Sequence, residues 1–233
     1  MIQDFDFPVE LVRTGRTKSA SIQLDGEVIK VTVPKTLSDL RIQELIDSKS
    51  VWIKQKIKLQ GESAPIKPKE YVNGEVFPYL GRNYRLKRVS GPVRDVKMKS
   101  GYLEISVPED PAKGATEALI RASLEAWYKD HALSKLTEKT QRYAAILGVD
   151  VGTISVKNFK SRWGSCHVSG DITYNWRIIM APHRIIDYVV VHELCHLLEH
   201  NHSPKYWRHV ENALLDYTER RKWLKTNGAA FII

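Results

Sequence analysis

Between Ile185 and Leu198 the chain reads Ile-Ile-Asp-Tyr-Val-Val-Val-His-Glu-Leu-Cys-His-Leu-Leu, just after Pro182. Proline suits a first helical turn, and a helix this apolar must be buried on most of its circumference. It is too short, and with Asp187, His192, Glu193 and His196 too polar, to span a membrane. Its later polar residues fall on one side. At 100° per residue, with His192 at the origin, His196 lies at about 40°, His200 at about 80°, Glu193 at about 100° and Glu199 at about 340°. Titratable groups on a buried helix are costly unless paired or bound to metal, so this stripe must face a cleft or an ion.

Within the stripe, His192-Glu193-Leu194-Cys195-His196 is an HExxH pattern. His196 sits one turn beyond His192, so both imidazoles point at one ion. Zinc accepts two neutral ring nitrogens at about 2.0–2.1 Å, and Zn2+ is the expected cofactor. Glu193 stands beside the ligands, where a carboxylate serves as general base toward a zinc-activated water. A purely structural site prefers four closed protein ligands and needs no base, which argues against a non-catalytic zinc-stabilised module.

The nearby candidates for a third ligand are Glu199, His200, His202 and His209. His200 is eight residues from His192, about 12 Å along a helix axis, and cannot share its ion. His202 folds back over the site if Asn201 ends the helix in the left-handed conformation and Ser203-Pro204 starts the next. Glu199 is the next choice, followed by His209.

Composition sets the outer limits. With 233 residues and 42% hydrophobic content the chain buries a real core, and disorder is not the default. Cys166 and Cys195 are its only cysteines, too few for a disulfide framework, and Cys195 reads as a small buried apolar residue. The N-terminus lacks the basic and apolar regions of a secretory signal, so a cytoplasmic location is expected. The net charge of +9 is concentrated early: residues 1–100 hold 19 Lys/Arg against 12 Asp/Glu, and residues 101–233 hold 17 against 15. A solvated basic face is the simpler account of this excess. Nucleic acid is the candidate partner if the patch binds one, through Arg82, Arg85, Lys87 and Arg88.

The first hundred residues read mainly as β-structure. Hairpins are predicted for Ser19–Leu24 with Val28–Val33, for two short runs within Phe77–Leu86, and for Val93–Lys97 with Tyr102–Val107. A helix capped by Ser38 runs to about Asp47 and continues as a basic amphipathic stretch over Val51–Leu59. Gly61–Pro68 is the linker candidate. Beyond Pro108, Ala115–Leu147 has helical spacings and forms one long helix or two stacked ones. Strands are predicted at Ile154–Phe159 and Asp171–Ile179, a helix from Pro182 to about His200, and a last helix from Ser203-Pro204 to Asn227-Gly228. The boundary falls at 107/108, between a β-rich basic region, 1–107, and a second domain, 108–233.

His192–His202, with Ser203, Trp207 and Ser161-Arg162-Trp163-Gly164-Ser165-Cys166, resembles the YgjP-like metallopeptidase family, a relative of the SprT-like and other zincin peptidases. Asn175-Trp176-Arg177 and Ile186–Val191 resemble its strand and helix entry, and Trp52-Ile53 its N-terminal half. The resemblance implies an α+β chain, with a zincin-like helical catalytic half that carries a small sheet and the HExxH helix. It assigns His192, His196 and His202 as ligands, Glu193 as base, and a protein or peptide as substrate. A nucleic-acid-associated protease is the alternative, suggested by the basic N-terminal half and the SprT-like kinship. The spacing also fits metzincins, but Glu199 stands where their glycine would be.

For the substrate, Asp171–Ile179 is the expected edge strand, with Asn175 and Trp176 as contacts and Trp163 and Trp207 as further lining. Arg162, Tyr206 and His209 are candidate donors to a tetrahedral oxyanion.

Overall fold

The computed structural model describes residues 5–17, 19–25, 28–61, 67–92, 95–108 and 113–233. The chain divides into two compact units, Met1–Ile66 and Lys67–Ile233. The architecture is α+β, with five α-helices and three small sheets among the described residues.

In the first unit, β1 (Val9–Thr14), β2 (Ser21–Asp25) and β3 (Val28–Pro34) form a sheet in the order β1-β3-β2. β2 and β3 are antiparallel, as the hairpin pattern predicts; the turn residues 26–27 lie outside the described residues. β1, which the sequence pattern does not single out, pairs in parallel with β3. Ile29, Val31 and Val33 on β3 share a core with Ile42, Ile46 and Ile53 of α1 (Asp39–Gly61). Spacings of four and seven put these three on one helix face, and α1 runs as a single helix past Asp47 into the basic stretch. Most of the predicted linker, 62–66, lies outside the described residues.

The second unit begins with β4 (Val76–Tyr79), β5 (Arg82–Ser90), β6 (Lys97–Lys99) and β7 (Tyr102–Val107), in the order β4-β5-β7-β6. The turn expected at Ser100-Gly101 is present, and the one expected around Gly81-Arg82-Asn83 falls at Leu80-Gly81, with Arg82 and Asn83 already in β5. Leu80 and Gly81 have φ of 51° and 78°, and Ser100 and Gly101 have 49° and 82°, the left-handed pairs that two-residue hairpins require. Val93 of the predicted β6 run lies outside the described residues. Gly81 meets a second demand, because a Cβ there would stand 2.7 Å from Pro182 Cα. With Leu80 N–H on Ile179 O (2.8 Å), this docks the β4–β5 turn at the start of the HExxH helix.

Leu86, Leu103 and Ile105 on this sheet share one core with Ile120, Leu124 and Tyr128 of α2 (Lys113–Leu147), a single continuous helix. The 76–107 sheet therefore groups with the helices of residues 113–233, whereas the sequence pattern puts the boundary at 107/108. Local patterning marks strands and helices but not which of them share a core.

β8 (Ile154–Lys157), β9 (Gly164–Cys166) and β10 (Ile172–Asn175) form the third sheet, in the order β8-β10-β9. The strand expected over Asp171–Ile179 stops at Asn175, whose side-chain oxygen accepts from Arg177 N–H (3.2 Å) and caps a 3-10 turn, Trp176–Met180. Trp176, Ile178, Ile179 and Met180 are all buried, so the apparent alternation does not separate two faces of a strand. Nor is β10 an edge. It lies between β8 and β9.

Three helices complete the unit: α3 (His183–Cys195), α4 (Pro204–Ala213) and α5 (Tyr217–Asn227). The single last helix expected from Ser203 is two, because Leu214 is extended (φ −146°, ψ 93°) and ends α4. A Lys139–Asp187 ion pair (2.5 Å) and a Thr140–Tyr174 hydroxyl contact (2.9 Å) tie α2 to α3 and β10.

Candidate metal centre

α3 buries Ile185, Ile186, Val189, Val190, Val191, Leu194 and Cys195, as its apolar sequence requires. It ends earlier than expected. Over His196–Leu198 the ladder tightens to bonds three residues apart, His196 N to Glu193 O (3.2 Å), Leu197 N to Leu194 O (3.0 Å) and Leu198 N to Cys195 O (3.1 Å), before Glu199 N closes on Cys195 O (3.0 Å). The chain therefore leaves the helix before Asn201, where the sequence pattern puts the break. Ser203 accepts from Tyr206 N–H (3.2 Å) with Pro204 in the first turn, so α4 starts where its cap signals it.

This reversal brings His202 over His192 and His196. One ring nitrogen from each of the three lies within 4.8 Å of the others, and His192 Nε2 and His202 Nε2 are 3.3 Å apart. Glu199 instead pairs with Lys205 (3.5 Å), and neither His200 nor His209 joins the cluster.

The residues present fit a metal such as zinc. Tyr206, fully buried, donates its single hydroxyl proton to His192 O (2.8 Å), so its oxygen accepts from His192 Nδ1–H (2.8 Å). That leaves the His192 Nε2 lone pair facing the other imidazoles. Burial, with the neighbouring His196 and His202, holds the His192 pKa down to about 3, so the ring is neutral at physiological pH. His196 is also shifted down, mainly by burial and by the neighbouring His202, with the Glu199 and His200 backbone pulling the other way. Neutral imidazoles with one nitrogen fixed by an outer partner are the form that binds metal.

Glu193 is 5% exposed, and burial raises its pKa to about 7 against the opposing pull of Arg162 and a Cys166 backbone N–H. Its carboxylate packs on β9. A Cβ at residue 164 would stand 2.5 Å from Glu193 Oε1 and 2.7 Å from Cδ, so Gly164 is glycine for space. A glycine inside a strand is the sequence signal of such a close approach, and it is the signal that could have marked Gly164. Cys166 is half-buried beside this carboxylate and Cys195 is buried; neither forms a disulfide.

The expected substrate contacts divide. Arg162 is exposed and acts on the charge of Glu193. Asn175 is buried, donating to Phe159 O (3.0 Å) and Arg162 O (3.2 Å), so its amide holds the loop that leads into β9. Trp176 is fully buried, 6.0 Å from Tyr128, as part of the core. Tyr206, an oxyanion candidate, has its hydroxyl committed to His192.

Three converging imidazoles, two at the end of a helix backed by a small sheet and one on the connection after it, beside a buried carboxylate, define a candidate metal-dependent hydrolase centre. The chain belongs to the YgjP-like family: the model described as "YgjP-like, metallopeptidase domain" matches residues 18–227. No curated protein matches the chain. Among solved structures it is similar to the metallopeptidase zymogen abylysin of Pyrococcus abyssi, at 20% identity and a TM-score of 0.38, over 42% of this chain and 99% of that one. It is also similar to the metallopeptidase zymogen jannalysin of Methanocaldococcus jannaschii, at 16% identity and a TM-score of 0.36, over 40% of this chain and 95% of that one.

Proposed function

We propose that the chain is a zinc-dependent metallopeptidase in which His192, His196 and His202 hold the metal and Glu193 is the general base. The observation that carries this reading is the gathering of three ring nitrogens within 4.8 Å, with the buried Glu193 next to one of them in the chain. Zinc bound there would supply Lewis acidity toward a carbonyl oxygen and lower the pKa of a water. Glu193 takes a proton from the attacking water and returns it to the leaving amine, a shuttle suited to a carboxyl group whose pKa lies near 7. Tyr206 keeps His192 in the tautomer that presents Nε2. Among the described residues β9 is an edge of its sheet and lies against α3, which supports addition of a peptide strand there. No helix among the described residues is long and apolar enough to cross a membrane.

The test is metal analysis with casein or peptide hydrolysis for the wild type and Glu193→Gln. The variant retains zinc and loses activity; unchanged hydrolysis removes Glu193 from the role of base.

One surface favours a second reading, in which the peptidase acts on nucleic-acid-associated substrates. Arg85, Tyr102 and Lys99 form one register row across β5, β7 and β6, and Lys87, Glu104 and Lys97 form the next. The cations and Tyr102 are exposed, an arrangement that suits a polyanion with stackable bases. Binding of single-stranded DNA that weakens with salt and is lost on neutralising Arg85, Lys87, Lys97 and Lys99 is expected; absence of binding at low salt excludes it.

A further inference from the structure

His192 is fixed by a polar partner outside the triad, the Tyr206 hydroxyl. His202 has no such support. Among the described residues its ring has no hydrogen-bond partner except His192 Nε2 itself, and it is exposed on the connection between α3 and α4. A side chain so placed must be ordered before it serves as a ligand, and pre-ordering is what makes a ligand set bind tightly.

What orders it is a column of rings. His202 stacks on Trp207 with centroids 5.5 Å apart and planes at 21°, and Trp207 stacks on Tyr217 at 5.4 Å and 17°. The Arg221 guanidinium lies 4.7 Å from the Trp207 centroid. His202 also lies against His192, at 5.0 Å and 27°, and Trp207 is itself 6.1 Å from the His192 ring. Tyr217 and Arg221 are four residues apart on α5, so they form neighbouring supports on one helix face. Trp207, in the early part of α4, is held from behind and in turn fixes the plane of the His202 ring.

We propose that Trp207 is a positioning residue for the third ligand, doing by stacking what Tyr206 does for His192 by hydrogen bonding, with Tyr217 and Arg221 bracing it. This rests on the reading of His202 as a ligand. The chemistry suits the role, because a large indole face restricts the tilt of an imidazole without competing for its nitrogens.

The test is the zinc dissociation constant of the full chain, measured by competition with a chromophoric chelator. The variants are Trp207→Leu, Trp207→Phe, His202→Ala and the Trp207→Leu/His202→Ala double variant. Trp207→Leu weakens zinc binding on the order of 10–100-fold, the range for outer-shell partners. Trp207→Phe, which keeps a stacking ring, restores most of it. In the His202→Ala background Trp207→Leu causes no further loss, because the residue acts through His202. Tyr217→Leu, at the far end of the column, gives a smaller loss that also disappears in that background. Full affinity in Trp207→Leu, or an equal loss with and without His202, overturns the proposal. Wild-type affinity in His202→Ala is a different failure, since it removes the ligand reading and the proposal with it.

Discussion

Two of the three proposed ligands come from a helix and one comes from the connection that follows it, and the two kinds are held differently. His192 and His196 are set by the spacing of α3 and its C-cap and are partly shielded from solvent, and His192 is hydrogen-bonded behind to Tyr206. His202 is exposed, placed by a chain reversal and a cap, and stacked rather than hydrogen-bonded. The helix fixes its ligands by local geometry. The loop ligand depends on α4 and α5, so the site is complete only when the C-terminal helices are in place.

The largest expected effect sharpens the helical side. In the metal-free protein Glu193 is raised from 4.5 to about 7, so the folded state holds its proton more tightly than the unfolded chain does. Its contribution is present below pH 4.5 and is lost as pH rises through about 7, roughly 3 kcal/mol in all. His192, lowered from 6.5 to about 3, acts in the opposite direction, with stability present above pH 6.5 and lost as pH falls toward 3. The two slopes oppose each other between pH 4.5 and 6.5. Denaturant unfolding of metal-free wild type should therefore be nearly flat in this window as far as these two groups decide it, whereas Glu193→Gln gains stability with rising pH. Parallel profiles for the two proteins contradict the burial argument.

Tyr206→Phe comes next. It removes the partner of His192 Nδ1 and should weaken zinc binding about 10–100-fold while the fold persists, as chelator competition and circular dichroism would show. If Tyr206→Phe binds like wild type, the hydrogen-bonded ligand is no better fixed than the stacked one. The smallest effect tests the loop. Ser203→Ala removes the α4 cap and should cost about 1 kcal/mol in thermal or denaturant unfolding, with a modest loss of zinc affinity through His202. A stability loss with no change in affinity would uncouple the cap from the ligand.

The same contrast explains what is legible in the sequence. His192, Glu193 and His196 follow from helical spacing and the cost of burying charge, which are local. The start of α4 follows from Ser203-Pro204, and the left-handed hairpin turns from Gly81 and Gly101. The course of 172–180 does not, because the cap by Asn175 produces a 3-10 turn where alternating residues suggest a strand. For the same reason Asn175 and Trp176 read as substrate contacts although their partners are Phe159, Arg162 and Tyr128. Tyr206, Gly164 and Trp207 owe their places at the site to tertiary contacts that no spacing rule reveals. The grouping of the 76–107 sheet with the later helices is likewise a matter of a shared core.

X-ray absorption at the zinc edge, on the metal-loaded full chain and on His202→Ala, tests the central claim most directly. Three imidazole nitrogens at about 2.0–2.1 Å in the wild type and two in the variant are the predicted result. A sulfur ligand at about 2.3 Å, or three imidazoles remaining after His202 is removed, would contradict it.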